Sequence, residues 1–159
     1  MNVVSLAIVF MTRCLLVVLF LPFSALDKIL NTRAAVAQAG QVIRPRTLAV
    51  AFIIVGGIVE VTMPLAILTG FADRLAAFML GGYCLTTALL WKQFWNKKDF
   101  RLAGASKGRE MFWDFLKNVG LAGAFFLLSF GTDVASARKF LSDPFASTHP
   151  YQISIEQGR

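Results

Sequence analysis

The chain has 159 residues, of which 57% are hydrophobic and 16% charged, with a formal net charge of +7. A soluble domain carries about 25% charged residues, so this composition excludes a disordered chain and a soluble enzyme with a charged surface. Two cysteines exclude a disulfide framework, and a single histidine, His149, excludes a bis-histidine haem within the chain. We expect a polytopic membrane protein whose basic residues orient it in the lipid bilayer rather than bind nucleic acid.

The first apolar stretch covers residues 3–26 and is interrupted by one charge, Arg13. It lacks a basic start and is longer than the apolar core of a signal peptide. Its 24 residues are enough to cross a hydrocarbon core of about 30 Å, so we predict a retained span.

Residues 27–47 are polar and basic, and their middle, residues 32–39, contains helix formers with few large apolar side chains. This pattern predicts a short helix that lies at the membrane interface. Gly40 is expected to end it, and Pro45 to begin the next element.

Three more apolar stretches predict spans over residues 48–68, 75–94 and 111–130, joined by a turn at 69–74 and a basic loop at 96–110. Short connections favour an all-α, antiparallel bundle of four transmembrane helices within residues 1–131. Residues 132–159 form a polar C-terminal tail, expected to be loose or bound to a partner. Small residues should let the helices approach closely, namely Gly56, Gly57, Gly81, Gly82, Gly120 and Gly123.

Lysine and arginine are unevenly divided between the two faces of this predicted bundle. Ten of them lie in or beside the connections between spans one and two and between spans three and four, against four in the 69–74 turn and the tail. The positive-inside rule therefore places the ten-charge face in the cytoplasm and both termini outside it.

Two opposite charges, Arg13 and Glu60, fall near the middle of spans one and two by residue count. An isolated charge at that depth costs about 3 kcal/mol or more, so we predict an Arg13–Glu60 ion pair inside the bundle. The pair is interpreted either as a structural contact or as a polar site for a quinone head group, a proton or a substrate.

A second polar group lies in the first turns of span four. Asp114 and Asn118 are spaced to share one helix face, and Asp114 and Lys117 are spaced to pair. We interpret them either as interfacial anchors or as the polar mouth of a site between the helices.

Cys14 and Cys84 are both near mid-span by count, and they are either buried small residues or a candidate redox pair. The sequence contains no CxxC motif, no metal-ligand cluster and no nucleophile–base pair. We therefore expect no metal site and no cofactor held by this chain alone, and a chain that is not catalytic by itself.

Several short motifs occur in a characteristic order along residues 13–131. They are Arg13 with Ser24-Ala25 and Lys28 in span one, Gly57-x-x-Glu60, Thr69-Gly70-x-x-x-Arg74, and Lys117-Asn118-x-x-Leu121-x-Gly123. In this order the chain resembles the DoxX family of small four-helix membrane proteins.

The resemblance implies a location in a bacterial inner membrane and a link to redox work, because some relatives are the membrane subunit of a thiosulfate:quinone oxidoreductase. It implies that Arg13, Glu60, Lys117 and Asn118 occupy the family's polar positions. The function we predict is a membrane subunit of a redox or electron-transfer complex, which anchors protein partners and lines a quinone site. A purely structural accessory subunit and a small transporter are the alternatives.

Overall fold

The computed structural model describes residues 3–152 and confirms the all-α prediction, with no strand among these residues. The helices are α1 (Val3–Val17), α2 (Ala25–Leu30), α3 (Thr32–Ala39), α4 (Arg46–Thr69), α5 (Asp73–Trp91), α6 (Lys107–Phe130) and α7 (Val134–Ser142). Four segments of this part of the chain are long and apolar enough to cross a membrane, as expected of a multi-pass membrane protein. The short helix predicted over residues 32–39 is α3.

Local sequence accounts for where the long helices begin and end. Pro45 precedes α4 in an extended conformation, and Gly70 ends α4 with a φ of +78°, which glycine adopts without a steric penalty. At the start of α6 the Ser106 hydroxyl accepts a hydrogen bond from the Arg109 N–H (3.1 Å).

The first span contains a break that the apolar pattern does not show. The helix is kinked within Leu19–Ser24, after α1, where Leu21 is non-helical at φ −114° and ψ 109°. Leu21 precedes Pro22, and proline disfavours a helical conformation in the residue before it. The break separates α1 from α2, so that α2 packs against α4 on its own course.

Helix α5 lies at the centre of the bundle, with α6 and α4 packed against it. Ile67, Leu80, Cys84 and Phe125 are almost fully buried in this core. The α4–α5 turn, the end of α6 and α7 lie at one end, here called the Asp73 end. The other end, called the Trp91 end, contains α2, α3 and the loop before α6.

The close-approach role predicted for six glycines is found at two of them. A Cβ on Gly81 would lie 2.7 Å from the Phe126 ring, and one on Gly56 would lie 3.4 Å from the Tyr83 hydroxyl. The prediction is wrong for the other four, because a Cβ there would meet nothing within 4 Å. These outward-facing positions are Gly57, Gly82, Gly120 and Gly123.

The described part of the tail is not loose, because it packs against the bundle at the Asp73 end. Phe140 of α7 is buried beside Phe78 and Phe130, with ring centroids 5.5 and 5.2 Å away. Further along, the Ser147 hydroxyl donates to the Gly70 carbonyl (2.6 Å) and the Tyr151 hydroxyl to the Leu68 carbonyl (2.5 Å). The rest of the tail, residues 153–159, lies outside the described residues.

Candidate functional site

Glu60 on α4 is 1% exposed and accepts hydrogen bonds from three neighbouring side chains. The Lys28 ammonium contacts both carboxylate oxygens (2.6 and 2.7 Å), and the Ser24 and Tyr83 hydroxyls each donate to Oε1 (2.9 and 2.8 Å). A buried carboxylate is tolerated only when it is paired and hydrogen-bonded in this way. The result is a neutral, polar cluster that joins the first span, α4 and α5.

The predicted Arg13–Glu60 ion pair is wrong. Arg13 donates instead to Asp73 (2.7 Å), to the Thr148 hydroxyl (2.7 Å) and to the Ile67 carbonyl. Ile67 lies seven residues beyond Glu60 on α4, about 10 Å along the helix. Arg13 is therefore at the Asp73 end, and loss of Glu60 would leave Lys28 rather than Arg13 without its acid.

The reason is the placement of α1 along the bundle. Arg13 lies opposite Ile67, which is two residues from the end of α4. The first residue of α1 lies ten residues before Arg13, about 15 Å further along the helix axis. Little of α4 is left to cover that stretch, and Val3, Val4 and Ile8 in it are 82, 64 and 60% exposed. The depth inferred from residue count was too great because α1 does not start level with its neighbours.

Asp73 completes the second ionic cluster and is fully buried. Besides Arg13 it accepts hydrogen bonds from the Thr148 N–H (2.9 Å) and the Thr148 hydroxyl (2.5 Å). The tail thus closes the Asp73 end over an ion pair. Nearby, burial raises the pKa of the Tyr151 hydroxyl above its usual value.

A cavity of about 230 Å³ lies between α2–α3 and the Trp91 ends of α4, α5 and α6, and we call it the Tyr83 cavity. Tyr83, Phe52 and Trp91 supply aromatic walls, and Lys28 stands between the cavity and Glu60. Its lining also includes several polar side chains, namely Asp27, Asn31, Gln38, Thr87, Lys92 and Asn118.

Contacts across the cavity hold α3 in place as one of its walls. The Trp91 indole donates to the Gln38 carbonyl of α3 (3.0 Å), and its ring lies 5.4 Å from that of Phe52 on α4. Trp91 is therefore a wall of the cavity and also a contact that holds α3.

Beside the cavity lies an apolar groove of about 530 Å³ between α2 and α4, here called the Gly57 groove. It is lined by Ala25, Lys28, Ile29, Thr32, Ile53, Ile54, Gly57, Ile58, Val61 and Thr62. Lys28 and Ile53 line both spaces, so groove and cavity adjoin.

The polar group of span four lies at the same end of the bundle as the Tyr83 cavity. Asp114 pairs with Lys92 (3.1 Å) and with Lys117 (3.7 Å), as its spacing from Lys117 predicts. The Asn118 amide donates to the Asp114 carbonyl (2.9 Å) and also lines the cavity. Of the three predicted residues, Asn118 reaches the cavity wall, whereas Lys117 is exposed.

The two cysteines are free thiols at different depths. Cys14 follows Arg13 at the Asp73 end, whereas Cys84 lies eleven residues after Asp73 on α5, about 16 Å deeper. The matching depth expected for a redox pair is therefore wrong. Cys84 is a buried core residue, and Cys14 is half-buried.

Sequence reasoning missed Asp73, Lys28 and Tyr83 as parts of these clusters. The apolar pattern places Asp73 in a turn and Lys28 in a loop, because Asp73 precedes one apolar stretch and Lys28 follows another. Lys28 carried a usable signal, since it lies four residues after Ser24 and so shares a helix face with it. Tyr83 carried none beyond its hydroxyl.

Among residues 3–152, no group of three His, Cys, Asp or Glu side chains is placed to hold a metal ion. Comparison of the chain with protein-family models, curated proteins and solved structures finds no match.

Proposed function

We propose that the chain is a DoxX-like integral membrane subunit of a redox or electron-transfer complex in a bacterial inner membrane, and that it binds a quinone head group in the Tyr83 cavity. The observation that carries this proposal is the cavity itself, which places aromatic walls and hydrogen-bond donors beside a buried ion pair. Ligand sites commonly occupy about 300–1,000 Å³, so a cavity of about 230 Å³ suits a single ring rather than a larger molecule.

The side chains of the cavity match the chemistry of a quinone ring. Quinone oxygens accept hydrogen bonds, and Lys92 and Asn118 each have N–H groups beyond the one that contacts Asp114. Phe52 and Trp91 offer ring faces and edges against which a flat ring can pack. The aromatic walls limit the orientations that the ring can take.

Glu60 has a positioning role in this proposal. Its carboxylate holds the Lys28 ammonium and the Tyr83 hydroxyl, both of which line the cavity. In the complex, electrons reach the quinone from the redox centre of a partner subunit, and this chain supplies the binding site and the membrane anchor.

Two features of the molecule bear on the alternatives. A small transporter needs access from both faces, whereas Arg13, Asp73 and Thr148 form a closed hydrogen-bonded cluster at the Asp73 end. A purely structural accessory subunit needs no ligand cavity, although the exposed apolar surface of α1 would suit contact with other subunits.

The proposal is tested by isolating the tagged chain from native membranes in mild detergent, followed by an absorbance scan, mass spectrometry and quinone extraction. We expect a haem, flavin or iron–sulfur protein to co-purify and the preparation to retain quinone. Recovery of a single chain without quinone or a redox partner would refute the proposal.

A variant pair assigns the bound quinone to the cavity. Thr87→Phe should fill the cavity and lower the retained quinone. Thr12→Phe on the exposed part of α1 is the matched control, because each threonine hydroxyl donates to a carbonyl of its own helix. Equal quinone retention in the two variants would contradict the site.

A further inference from the structure

The Gly57 groove has a shape and chemistry that the head-group site alone does not explain. Its wall on α4 runs from Ile53 to beyond Val61, a rise of about 12 Å. Ile54 and Ile58 on this wall are 58 and 56% exposed, so the groove lies on the outer surface of the bundle. On helices that cross a membrane, such a surface faces lipid or another apolar partner.

We propose that the Gly57 groove holds the hydrocarbon tail of the quinone whose ring occupies the Tyr83 cavity, and that the ligand enters sideways from the bilayer between α2 and α4. This inference rests on the proposed function. Its basis is that the two spaces adjoin, because both are lined by Lys28 and Ile53. A molecule with a polar ring and an apolar tail spans that junction with each part in its matching environment.

Lys28 defines the junction. Its ammonium contacts both carboxylate oxygens of Glu60, and the residue lines both the cavity and the groove. A lysine stem is apolar and only its head is charged, so the stem can lie against a hydrocarbon tail. The break at Leu21 permits this arrangement, because it sets α2 apart from α1.

The groove directs the tail more than it strengthens binding. Lipid tails are as apolar as the groove, so moving a tail from the bilayer into it gains little hydrophobic free energy. Blocking the groove should therefore act on tailed quinones through steric exclusion and leave a tail-less quinone unaffected.

Gly57 allows a clean test because a Cβ built there meets nothing within 4 Å. Gly57→Leu therefore places its side chain in the groove with no clash at Cβ. Gly82→Leu is the matched control, since Gly82 is equally open but lies on α5 outside the groove. Val61→Phe is a second groove variant, and the unfolding midpoint of each variant is measured to verify that it folds.

The chain, with any partner that co-purifies, is placed in nanodiscs of defined phospholipid. Binding of a decyl-tailed and a tail-less ubiquinone is measured by competition with a photoreactive quinone, at concentrations expressed per lipid. We expect Gly57→Leu to weaken the decyl-tailed probe about tenfold, as overpacking of a filled site would. The tail-less probe should bind unchanged, and Gly82→Leu should affect neither.

Unchanged binding of the decyl-tailed probe to Gly57→Leu and Val61→Phe would overturn the groove assignment while leaving the head-group site intact. An equal loss of both probes would overturn it as well, because the substitution would then act on the cavity. If native mass spectrometry shows that Gly57→Leu loses phospholipid and no quinone, the groove binds a phospholipid acyl chain instead. Failure of both probes to bind the unmodified chain would refute the proposed function itself.

Discussion

Replacing Asp73 with alanine removes the acid of the Asp73 end and leaves its partners in place. The carboxylate is fully buried and accepts hydrogen bonds from Arg13 and from two donors of Thr148. In Asp73→Ala the Arg13 guanidinium, itself 7% exposed, keeps only neutral oxygen acceptors, namely those of Ile67 and Thr148.

The expected loss follows from this burial. Breaking a buried ion pair by removal of one partner costs about 3–5 kcal/mol, because the other charge stays in a medium of low dielectric. Thr148 adds little to this loss of stability if the tail detaches in the variant, because the Thr148 N–H and hydroxyl then form hydrogen bonds with water. We therefore expect the free energy of unfolding to fall by about 3–5 kcal/mol.

Asp114→Ala is the matched control, because the Asp114 side chain is 45% exposed in its pair with Lys92. An exposed pair contributes about 0–1 kcal/mol, so the control should unfold almost like the parent chain. In the double variant Arg13→Met, Asp73→Leu, most of the loss should be recovered, since no unpaired charge remains.

Unfolding is followed by tryptophan fluorescence during titration of SDS into mixed micelles. The dependence of the free energy of unfolding on SDS concentration is compared between variants to detect a change in the surface exposed on unfolding. If Asp73→Ala and Asp114→Ala lose equal stability, the reasoning from burial is refuted. A double variant as unstable as Asp73→Ala would show that the loss arises from packing and not from a stranded charge.

The remaining predictions concern helix packing, the tail and topology. Gly81→Leu should destabilise the bundle by about 1–3 kcal/mol through overlap with Phe126, whereas Gly82→Leu should change the unfolding midpoint little. Hydrogen bonds from Ser136 lower the pKa of Asp133. The Asp133 cap therefore stabilises α7 fully above the unfolded pKa of about 4, and this stabilisation is lost as the pH falls through the lower pKa of the folded state. Hydrogen exchange of α7, corrected for intrinsic rates, should accelerate in that acid range and, at pH 7, in Asp133→Ala; an unchanged rate would contradict the cap. A reporter fused after Lys98 should report cytoplasm, and a periplasmic signal would reverse the predicted orientation.

The helices could be predicted because apolar length alone identifies a span. Spans two to four match α4, α5 and α6. However, α4 begins two residues before the predicted second span, and α6 begins four residues before the predicted fourth span. Arg46 and Lys107 at these starts are charged, so hydropathy does not detect them. The break at Leu21 was also missed, although Pro22 is a direct sequence signal for it.

The partners of the buried charges could not be predicted in the same way. Residue count gives depth only when every helix starts at the same level, and α1 starts about 15 Å before the level of Asp73. Arg13 and Glu60 were correctly identified as buried charges, but each pairs with a residue assigned to a connection.

The two ion pairs also fix an order of assembly during synthesis. Lys28 and Glu60 are both present once the first two spans have left the ribosome, so this pair of charges can enter the bilayer already neutralised. Arg13 must wait for Asp73 at the start of the third helix, and Thr148 reaches this pair only after the fourth helix is complete. The contact beside the cavity is therefore the first whose partners are both available, and the cluster at the opposite end is the last.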